Sequence, residues 1–299
     1  MNGLVAVDWG TSSLRGARLD ADGRVLEERS SDRGILGVPA GGFPAVFDAT
    51  FGDWMAAPGA RCLIAGMAGS RQGWAEVPYA GCPAGASDLA AGLRWIIDRR
   101  IAIVPGVAVD DAGSDVPDVM RGEETQVLGA LALLGIDAGL FVLPGTHSKW
   151  VRVTGGRIEG FATSMTGEFY ALLRRHSILA KSLPADDAAE AFDAAAFDEG
   201  VAHAMRGTSL LRTAFGVRTL SLFERKASEA LASYLSGLVI GDEVRAEPNA
   251  QAADVVAIGA EALTSRYARA LAARGCMVRC LGSEATWRGL HALAAAAWS

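Results

Sequence analysis

The sequence predicts an α/β protein made of two similar halves, and three features support this prediction. A short apolar run at residues 4–7 ends in Asp8 and is followed by a polar turn, Gly-Thr-Ser-Ser. The same order of apolar run, Gly-Thr-x-Ser turn and second apolar run returns at residues 140–153. Around these two copies, segments of strand character alternate with segments of helical spacing, which is typical of α/β proteins.

The length and composition are sufficient for two ordinary domains with a substantial core. The chain has 299 residues, of which 51% are hydrophobic, and we place the domains at residues 1–134 and 135–299. A formal net charge of −6 argues against nucleic acid or an anionic membrane surface as the main partner. No run approaches the roughly 18 apolar residues of a membrane span, and no secretory signal is recognisable. We therefore expect a cytoplasmic protein whose four scattered cysteines are reduced.

The first half is expected to open with three strands and then alternate helices with strands. Residues 4–8 and 14–19 are typical of buried strands, and Asp22-Gly23 is a hairpin signal after which residues 24–28 pair back. Apolar residues at helical spacing predict the helices that follow. The further elements are helices at Phe43–Met55 and Glu123–Leu134 and strands at residues 61–65 and 101–104.

The second half repeats that opening. A strand at residues 140–143 leads into Pro-Gly-Thr-His-Ser-Lys-Trp, and a Gly155-Gly156 turn precedes Arg157. A repeat offset of 135 residues, from Gly10 to Gly145, is too long for a solenoid and indicates two similar halves. The later expectations are strands at residues 160–163, 255–258 and 277–281, helices at residues 167–175 (with Thr166 as N-cap), 227–236, 260–273 and 285–298, and exposed helix or loop at residues 185–196.

The polar turn has the composition of a phosphate-binding loop. Glycine allows close approach, and backbone N–H groups and hydroxyls can point at one anion. The turn is neither a Walker loop, which needs Gly-Lys-Ser/Thr, nor a dinucleotide loop, because a strand follows it. A carboxylate at Asp8 would repel phosphate unless Mg²⁺ lay between them, directly or through water. The alternative is that Asp8 caps the turn through side-chain hydrogen bonds.

Several motifs resemble a known family. The segments Asp8 to Arg15, Pro144 to Trp150 and 255–270 resemble the two phosphate motifs and the adenosine motif of the actin/hexokinase ATPase superfamily. Ala-Gly-Met-Ala-Gly-Ser-Arg-Gln-Gly-Trp (from Ala65), Arg-Gly-Glu-Glu-Thr-Gln (from Arg121), Met-Thr-Gly-Glu-Phe (from Met165) and Ser-Gly-Leu-Val-Ile-Gly-Asp-Glu-Val (from Ser236) are similar to 2-keto-3-deoxygalactonate kinases. The resemblance implies two ribonuclease-H-like domains, with mixed sheets flanked by helices and a cleft between them. It also implies transfer of phosphate from ATP, with Mg²⁺, to a sugar acid.

The resemblance assigns expected roles to individual residues. Glu123 stands where related sugar kinases place an aspartate base, and Glu124 is the alternative; both could instead be ordinary first-turn acids favoured by the helix dipole. The phosphate-binding residues are expected to be Gly10, Thr11, Ser12, Gly145, Thr146, His147 and Lys149, although Lys149 could instead point into water. The adenosine motif contributes Gly259, Ala260 and Leu263.

An acidic substrate also needs a cation, and arginine suits a planar carboxylate because its donors can pair with both oxygens. Arg71 and Arg121 are the candidates, each with surface ion pairing as the alternative. Ser70 and Trp74 complete the expected sugar site, and Trp74 and Tyr79 could instead pack in the core. A kinase for another sugar or sugar acid, a non-catalytic nucleotide or sugar sensor, and a homodimer remain open.

Overall fold

The computed structural model describes residues 3–110, 116–184, 192–250 and 254–298, so residues 185–191 of the expected helix or loop lie outside it. The strands are β1 Leu4–Trp9, β2 Leu14–Leu19, β3 Val25–Ser31, β4 Arg61–Gly66, β5 Ala80–Gly81, β6 Arg94–Ile97, β7 Ile101–Ile103, β8 Val107–Val109, β9 Asp118–Met120, β10 Gly139–Leu143, β11 Ser148–Thr154, β12 Arg157–Ser164, β13 Asp254–Ile258 and β14 Met277–Leu281. The α-helices are α1 Phe43–Met55, α2 Ala86–Ala91, α3 Glu123–Leu134, α4 Thr166–His176, α5 Ala194–Ala204, α6 Leu210–Thr213, α7 Phe215–Leu222, α8 Ser228–Ala246, α9 Glu261–Ala272 and α10 Glu284–Ala297.

The two large sheets share the order of five strands, and the first sheet has a sixth strand at one edge. One runs β3-β2-β1-β4-β7-β6 and the other β12-β11-β10-β13-β14. In each, three strands that are consecutive in the chain lie side by side, and a later strand pairs in parallel with the first of them. A third sheet has the order β5-β8-β9. The shared order confirms the duplication predicted from the two polar turns.

The chain forms two compact units that differ from the predicted division at residue 134. The first unit comprises Met1–Gly139, Val151–Ala162 and Ser283–Ser299, and the second comprises Leu140–Trp150 and Thr163–Gly282. Two contacts explain why the later segments belong to the first unit.

The hairpin of β11 and β12 bridges to Ala84 through Ile158, and Arg157 pairs with Asp88 at 2.8 Å. The closing helix α10 meets α3 backbone to backbone, since a Cβ on Gly129 would lie 1.7 Å from Ala285 O.

The core of the first unit forms between its sheet and α1. Trp9, Phe43, Phe47 and Phe51 belong to one buried cluster with the aliphatic residues of β1 and β4. Gly16 on β2 makes room for Phe51, because a Cβ there would lie 2.4 Å from the ring. The strand that precedes the first polar turn is therefore packed against α1 through this cluster.

The longest helix, α8, extends ten residues beyond the end predicted at residue 236. It is buried over most of its length because it lies directly against α5. Glycines permit this approach: a Cβ on Gly237 would lie 2.1 Å from Phe197 O. From residue 237 to Val244 the helix is mostly apolar and buried, and one of its two acids, Glu243, is buried with it at 7% exposure.

Three further sequence predictions can be compared with the structure. Thr166 is not the N-cap of α4; the helix begins at Thr166, and its hydroxyl donates to Glu243 instead. Cys62, Cys276 and Cys280 have free thiols, and the first two are buried. Among the described residues, no helix combines the length and apolar character that crossing a bilayer requires.

Candidate functional site

The first polar turn is covered on one face and exposed on the other. Gly10 N donates to Ser13 O at 2.9 Å, which closes the turn between β1 and β2. Behind it, Ile35 N donates to Gly10 O, and a Cβ on Gly34 would lie 2.3 Å from Thr11 O. Thr11 and Ser12 are exposed on the other face. The hydroxyls predicted to bind phosphate are therefore accessible to a ligand.

Three chain segments meet beside this turn. The parallel strands β1 and β4 pair Trp9 with Gly66, so their carboxyl ends lie at one edge of the sheet. A Cβ on Gly66 would lie 3.1 Å from Asp8 Oδ1, and a Cβ on Gly122 would lie 3.3 Å from the Gly66 Cα. Both glycines have positive φ, 88° and 109°, which a residue with a side chain rarely adopts. Asp8 and the start of α3 are thus brought together.

Asp8 makes a contact that sequence reasoning missed. Its Oδ2 accepts from Arg15 Nη2 at 2.5 Å, and the two residues are direct partners across β1 and β2. The carboxylate is 15% exposed, whereas the arginine is 40% exposed. The register of the hairpin could have revealed this pair, since Arg15 closes the quoted motif.

A magnesium ion requires oxygen ligands, and the described residues offer few of them here. They contain no group of three or more His, Cys, Asp or Glu residues that could hold a metal ion. Asp8 Oδ2 accepts from Arg15, which leaves Oδ1 as the oxygen that could contact a metal ion. One carboxylate suits Mg²⁺ that is held mainly by phosphate oxygens and water. The residues therefore fit a metal that arrives with a nucleotide.

The two acids at the start of α3 have different environments. Glu123 is half-buried, and its Oε2 accepts from Arg121 N at 2.9 Å. Glu124 is fully buried, with Oε2 accepting from Gly122 N at 2.7 Å and Oε1 from Thr125 Oγ1 at 3.1 Å. Burial, followed by the charge of Glu123, raises the pKa of Glu124 to about 8. Glu124 therefore stabilises the turn at Gly122, and Glu123 is the more accessible carboxylate.

Arg121 has hydrogen-bond donors that nothing in the described chain satisfies. Its Nη2 donates to Val77 O at 2.8 Å, and the guanidinium lies 4.4 Å from the centre of the Tyr79 ring. Nε and Nη1 are buried without a partner among the described residues, as is Ser70 Oγ. Gly69 allows this arrangement, because a Cβ there would lie 2.7 Å from Nη1. Buried donors of this kind call for a ligand or water.

The other predicted substrate residues have more ordinary surroundings. The Arg71 side chain is 89% exposed, and its Nε lies 3.1 Å from Glu76 Oε1. Trp74 is partly buried, and its ring centre lies 5.4 Å from that of Phe47 in the core cluster. The contacts of Trp74 match its core-packing alternative, and those of Arg71 match a surface ion pair.

The second polar turn is covered in the same way as the first. A Cβ on Gly167 would lie 2.4 Å from Gly145 O, and Glu168 N donates to Thr146 O at 3.0 Å. His147 Nε2 lies 2.5 Å from Glu168 Oε2. Thr146 and His147 are exposed. The start of α4 therefore supports one face of the turn and leaves the other accessible.

Lys149 lies beyond this turn, on β11. It is 6% exposed, and its Nζ donates to Thr163 Oγ1 at 2.7 Å. The expectation that Lys149 could point into water is therefore wrong.

The adenosine-motif residues lie at the carboxyl end of β13. Gly259 has a φ of 150°, and a Cβ on it would lie 3.6 Å from Pro144 O. Ala260 immediately precedes α9. Leu263, one turn into that helix, lines a cavity of about 60 Å³, and a neighbouring cavity of about 210 Å³ shares Tyr170 and Arg266 with it. The smaller cavity is lined by Gly145, Thr166, Gly167, Tyr170, Ser236, Val239, Ile240, Leu263, Arg266 and Tyr267.

A buried carboxylate connects the second turn to this cavity. Glu243 Oε1 accepts from Ser148 Oγ at 2.6 Å and from Trp150 Nε1 at 2.7 Å. Its Oε2 accepts from Tyr267 Oη at 2.5 Å and from Thr166 Oγ1. Sequence reasoning quoted the segment that contains Glu243 and gave the residue no role.

Comparison with known proteins agrees with this geometry. The family model described as 2-keto-3-deoxy-galactonokinase matches residues 8–293. A protein of Rhizobium meliloti (strain 1021) assigned as 2-dehydro-3-deoxygalactonokinase DgoK1 is 40% identical, over 98% of this chain and 97% of its own. The 2-dehydro-3-deoxygalactonokinase of Escherichia coli (strain K12) is 34% identical, over 97% of each chain. The chain belongs to the 2-keto-3-deoxy-galactonokinase family.

Solved structures also confirm the fold of this member of the 2-keto-3-deoxy-galactonokinase family. A crystal structure of a Sinorhizobium meliloti protein assigned to the same activity has a TM-score of 0.90 at 39% identity, over 99% of each chain. A Porphyromonas gingivalis protein assigned as an N-acetylglucosamine kinase has a TM-score of 0.51 at 17% identity, over 97% of this chain and 98% of its own, and shares the fold alone. The predicted α/β fold of the actin/hexokinase type is thereby confirmed.

The raised pKa of Glu124 makes a prediction about stability. Between about pH 4.5 and 8 the folded protein keeps this proton, whereas the unfolded chain loses it. The free energy of unfolding contributed by Glu124 therefore falls as pH rises through this window, by an amount of the order of a few kcal/mol. Glutamine cannot ionise, so Glu124→Gln should lose this part of the pH dependence. Urea unfolding at pH 5 and at pH 8.5 measures the free energy of unfolding of the variant and of the unaltered protein.

The exposed helix residue Glu229 provides the matched control. Glu229→Gln should retain the pH dependence of the unaltered protein. If Glu124→Gln and Glu229→Gln showed the same pH dependence, Glu124 would not be the group that carries it.

Proposed function

We propose that this protein transfers the terminal phosphate of ATP to the 6-hydroxyl of 2-dehydro-3-deoxy-D-galactonate. The observation that carries the proposal is the family match over residues 8–293, together with relatives at 34–40% identity that bear this activity in their names. The exposed polar turns and the carboxylate beside the first turn support the same chemistry. Phosphoryl transfer depends mainly on positioning and on neutralising charge, and turns of this kind can do both.

The two turns are proposed to bind the phosphate chain of the nucleotide. Backbone N–H groups and hydroxyls of Gly10, Thr11 and Ser12 would bind phosphate oxygens from one turn. Gly145, Thr146 and His147 would do so from the other, with Lys149 behind them on β11. When bound, Mg²⁺ would neutralise phosphate charge, and Asp8 is the residue proposed to hold it together with water and phosphate oxygens.

Glu123 is proposed as the base that accepts the proton of the 6-hydroxyl. Its half-exposed carboxylate supports this role better than the fully buried Glu124, which already accepts from Gly122 N and Thr125 Oγ1. The hydrogen bond from Arg121 N fixes one carboxylate oxygen of Glu123. A base held in this way needs no rearrangement before the reaction.

Adenosine is proposed to bind beside Gly259, Ala260 and Leu263. The glycine leaves open backbone at the end of β13, and Leu263 supplies an apolar contact to the cavity that α9 borders. The larger neighbouring cavity provides room for the rest of the nucleoside. An apolar cavity with a few polar groups is typical of such binding sites.

The proposed activity is tested by an ADP-release screen of purified protein with Mg-ATP over sugars and sugar acids. We expect turnover with 2-dehydro-3-deoxygalactonate and none with glucose or glycerol. Glu123→Gln should lower kcat by about 10²–10⁴-fold, because the base is lost, and should change ATP affinity little. A response only to neutral sugars would reject the substrate, binding of ATP without any turnover would favour a sensor, and normal turnover in Glu123→Gln would move the base elsewhere.

The substrate carboxylate is proposed to bind Arg121 and Ser70, with Arg71 and Trp74 as less supported members of the site. Arg121→Lys should raise the KM for the sugar acid by about tenfold or more, because charge-assisted hydrogen bonds to the carboxylate are lost. The matched variant Arg71→Lys should change the KM less than threefold, since Arg71 is exposed and paired with Glu76. Steady-state kinetics on the sugar acid and on a neutral sugar with the same terminal hydroxyl measure both effects.

If Arg71→Lys raised the KM for the sugar acid more than Arg121→Lys did, the substrate carboxylate would be assigned to Arg71. An equal rise in KM for the acidic and the neutral substrate in Arg121→Lys would make Arg121 a structural residue. Far-ultraviolet circular dichroism of both variants separates these outcomes from a loss of folding.

A cytoplasmic location and a homodimer complete the proposal. The proposed substrates are free small molecules, which supports the cytoplasmic location. Light scattering on the purified protein measures the second, and fractionation of cells that express the chain measures the location.

A further inference from the structure

Glu243 holds two chain segments that adjoin the second polar turn. On β11, Ser148 Oγ and Trp150 Nε1 donate to its Oε1 at 2.6 and 2.7 Å, and Ser148 directly follows His147 of the turn. At the start of α4, the hydroxyl of Thr166 donates to its Oε2. One carboxylate therefore joins the strand that leaves the turn to the helix that covers it.

The start of α4 carries this restraint to the turn itself. Gly167 lies directly against the turn, since a Cβ on it would lie 2.4 Å from Gly145 O. The next residue, Glu168, donates its backbone N–H to Thr146 O at 3.0 Å. Both residues follow Thr166 in the chain, so the hydrogen bond from Thr166 fixes the backbone that supports the turn.

Glu243 also sets the direction of Lys149. Side chains alternate along a strand, so Ser148 and Trp150 lie on one face of β11 and Lys149 on the other. Glu243 anchors the first face, and on the second Lys149 Nζ donates to Thr163 Oγ1 at 2.7 Å. A rotation of β11 away from Glu243 would therefore move Lys149, which is one of the proposed phosphate ligands.

The helix that carries Glu243 is itself fixed by close packing. A Cβ on Gly200 of α5 would lie 2.2 Å from Tyr234 O of α8, and a Cβ on Gly241 would lie 3.0 Å from the Val201 Cα. The two helices thus meet backbone to backbone on both sides of these glycines. A carboxylate on such a helix can position other groups, because the helix has no room to shift.

Tyr267 on α9 completes a buried network around the carboxylate. Its Oη donates to Glu243 Oε2 at 2.5 Å and also hydrogen-bonds to Ser148 and Thr166. Tyr267 and Thr166 are 2% and 8% exposed, so the network lies behind the turn and away from solvent. Water cannot readily replace a partner that is lost there, and the remaining groups must rearrange.

We propose that Glu243 is a positioning residue of the phosphate site, which fixes the second polar turn in the conformation that binds the phosphates of the nucleotide. Glu243 touches no ligand itself. Donors that are already in place need no reorganisation when an anion binds, so loss of Glu243 weakens the binding of phosphate groups and spares the nucleoside and the sugar. The inference rests on the proposed binding of nucleotide phosphates at this turn, and it requires no particular sugar.

Glu243→Gln is the direct test, because it replaces one carboxylate oxygen by an NH₂ group that cannot accept. Calorimetry without any sugar should show the Kd for Mg-ADP rising by about tenfold. The Kd for adenosine, which has no phosphate, should stay within about twofold of its value in the unaltered protein. In the protein without ligand, hydrogen exchange should become faster at residues 145–149 and stay unchanged at residues 10–13.

The neighbouring acid Asp242 supplies a matched control on the same helix. Its carboxylate pairs with Arg245 at 2.6 Å, and Asp242→Asn removes the same charge without touching the network. This variant should bind Mg-ADP as the unaltered protein does. Ser148→Ala keeps the carboxylate and removes the donor nearest to the turn, so it should also raise the Kd for Mg-ADP; it decides the matter if Glu243→Gln does not fold.

The outcomes separate this inference from the proposed reaction. An unchanged Kd for Mg-ADP in folded Glu243→Gln and in Ser148→Ala would overturn the inference, and so would unchanged exchange at residues 145–149. Equal losses of affinity for Mg-ADP and adenosine would also overturn it, because the effect would then not be specific to phosphate. Binding of Mg-ADP without phosphorylation of any sugar would reject the proposed reaction alone. No binding of Mg-ADP by the unaltered protein would overturn both.

Discussion

Both candidate sites depend on a central strand that is hydrogen-bonded on each side. β1 lies between β2 and β4, and β10 lies between β11 and β13. One neighbour in each case is parallel, so two strands end at the same edge of the sheet. The chain cannot continue into the core there, and the residues that follow must be polar and tightly turned. The position of the polar turns is thus a consequence of the sheet topology.

The two turns are supported by the same physical device. A glycine from another segment packs its backbone against each turn: Gly34 against Thr11, and Gly167 against Gly145. No side chain fits at either glycine, since a Cβ would lie within 2.4 Å of a carbonyl oxygen. Each turn is therefore fixed on one face, and its exposed hydroxyl or imidazole lies on the other. Fixed donors need no reorganisation when an anion binds.

Much of the fold could be predicted because its signals are local. Alternating apolar runs, the Asp22-Gly23 and Gly155-Gly156 turns and the helical spacing of α3 each depend on a few neighbouring residues. The C-terminal end of α8 could not be predicted in this way, because its burial depends on the close approach of α5. A local pattern does not show which distant helix will cover it.

Less of the candidate site than of the fold could be predicted, because several of its contacts join residues that are distant in the sequence. The turns were found from composition, whereas the role of Glu243 depends on partners that are distant in the sequence. A glutamate in a helix is usually a surface residue, and only the four donors around Glu243 show why this one is buried. The orphaned donors of Arg121 are likewise visible only when Val77 and Gly69 are in place.

Hydrogen exchange with and without Mg-ADP tests the central proposal, that both polar turns bind one nucleotide. The account predicts slower exchange of backbone amides at residues 10–13 and at residues 145–149 when Mg-ADP is added, with residues 155–156 as an unaffected reference turn. Protection of one turn alone, or of neither, would contradict it.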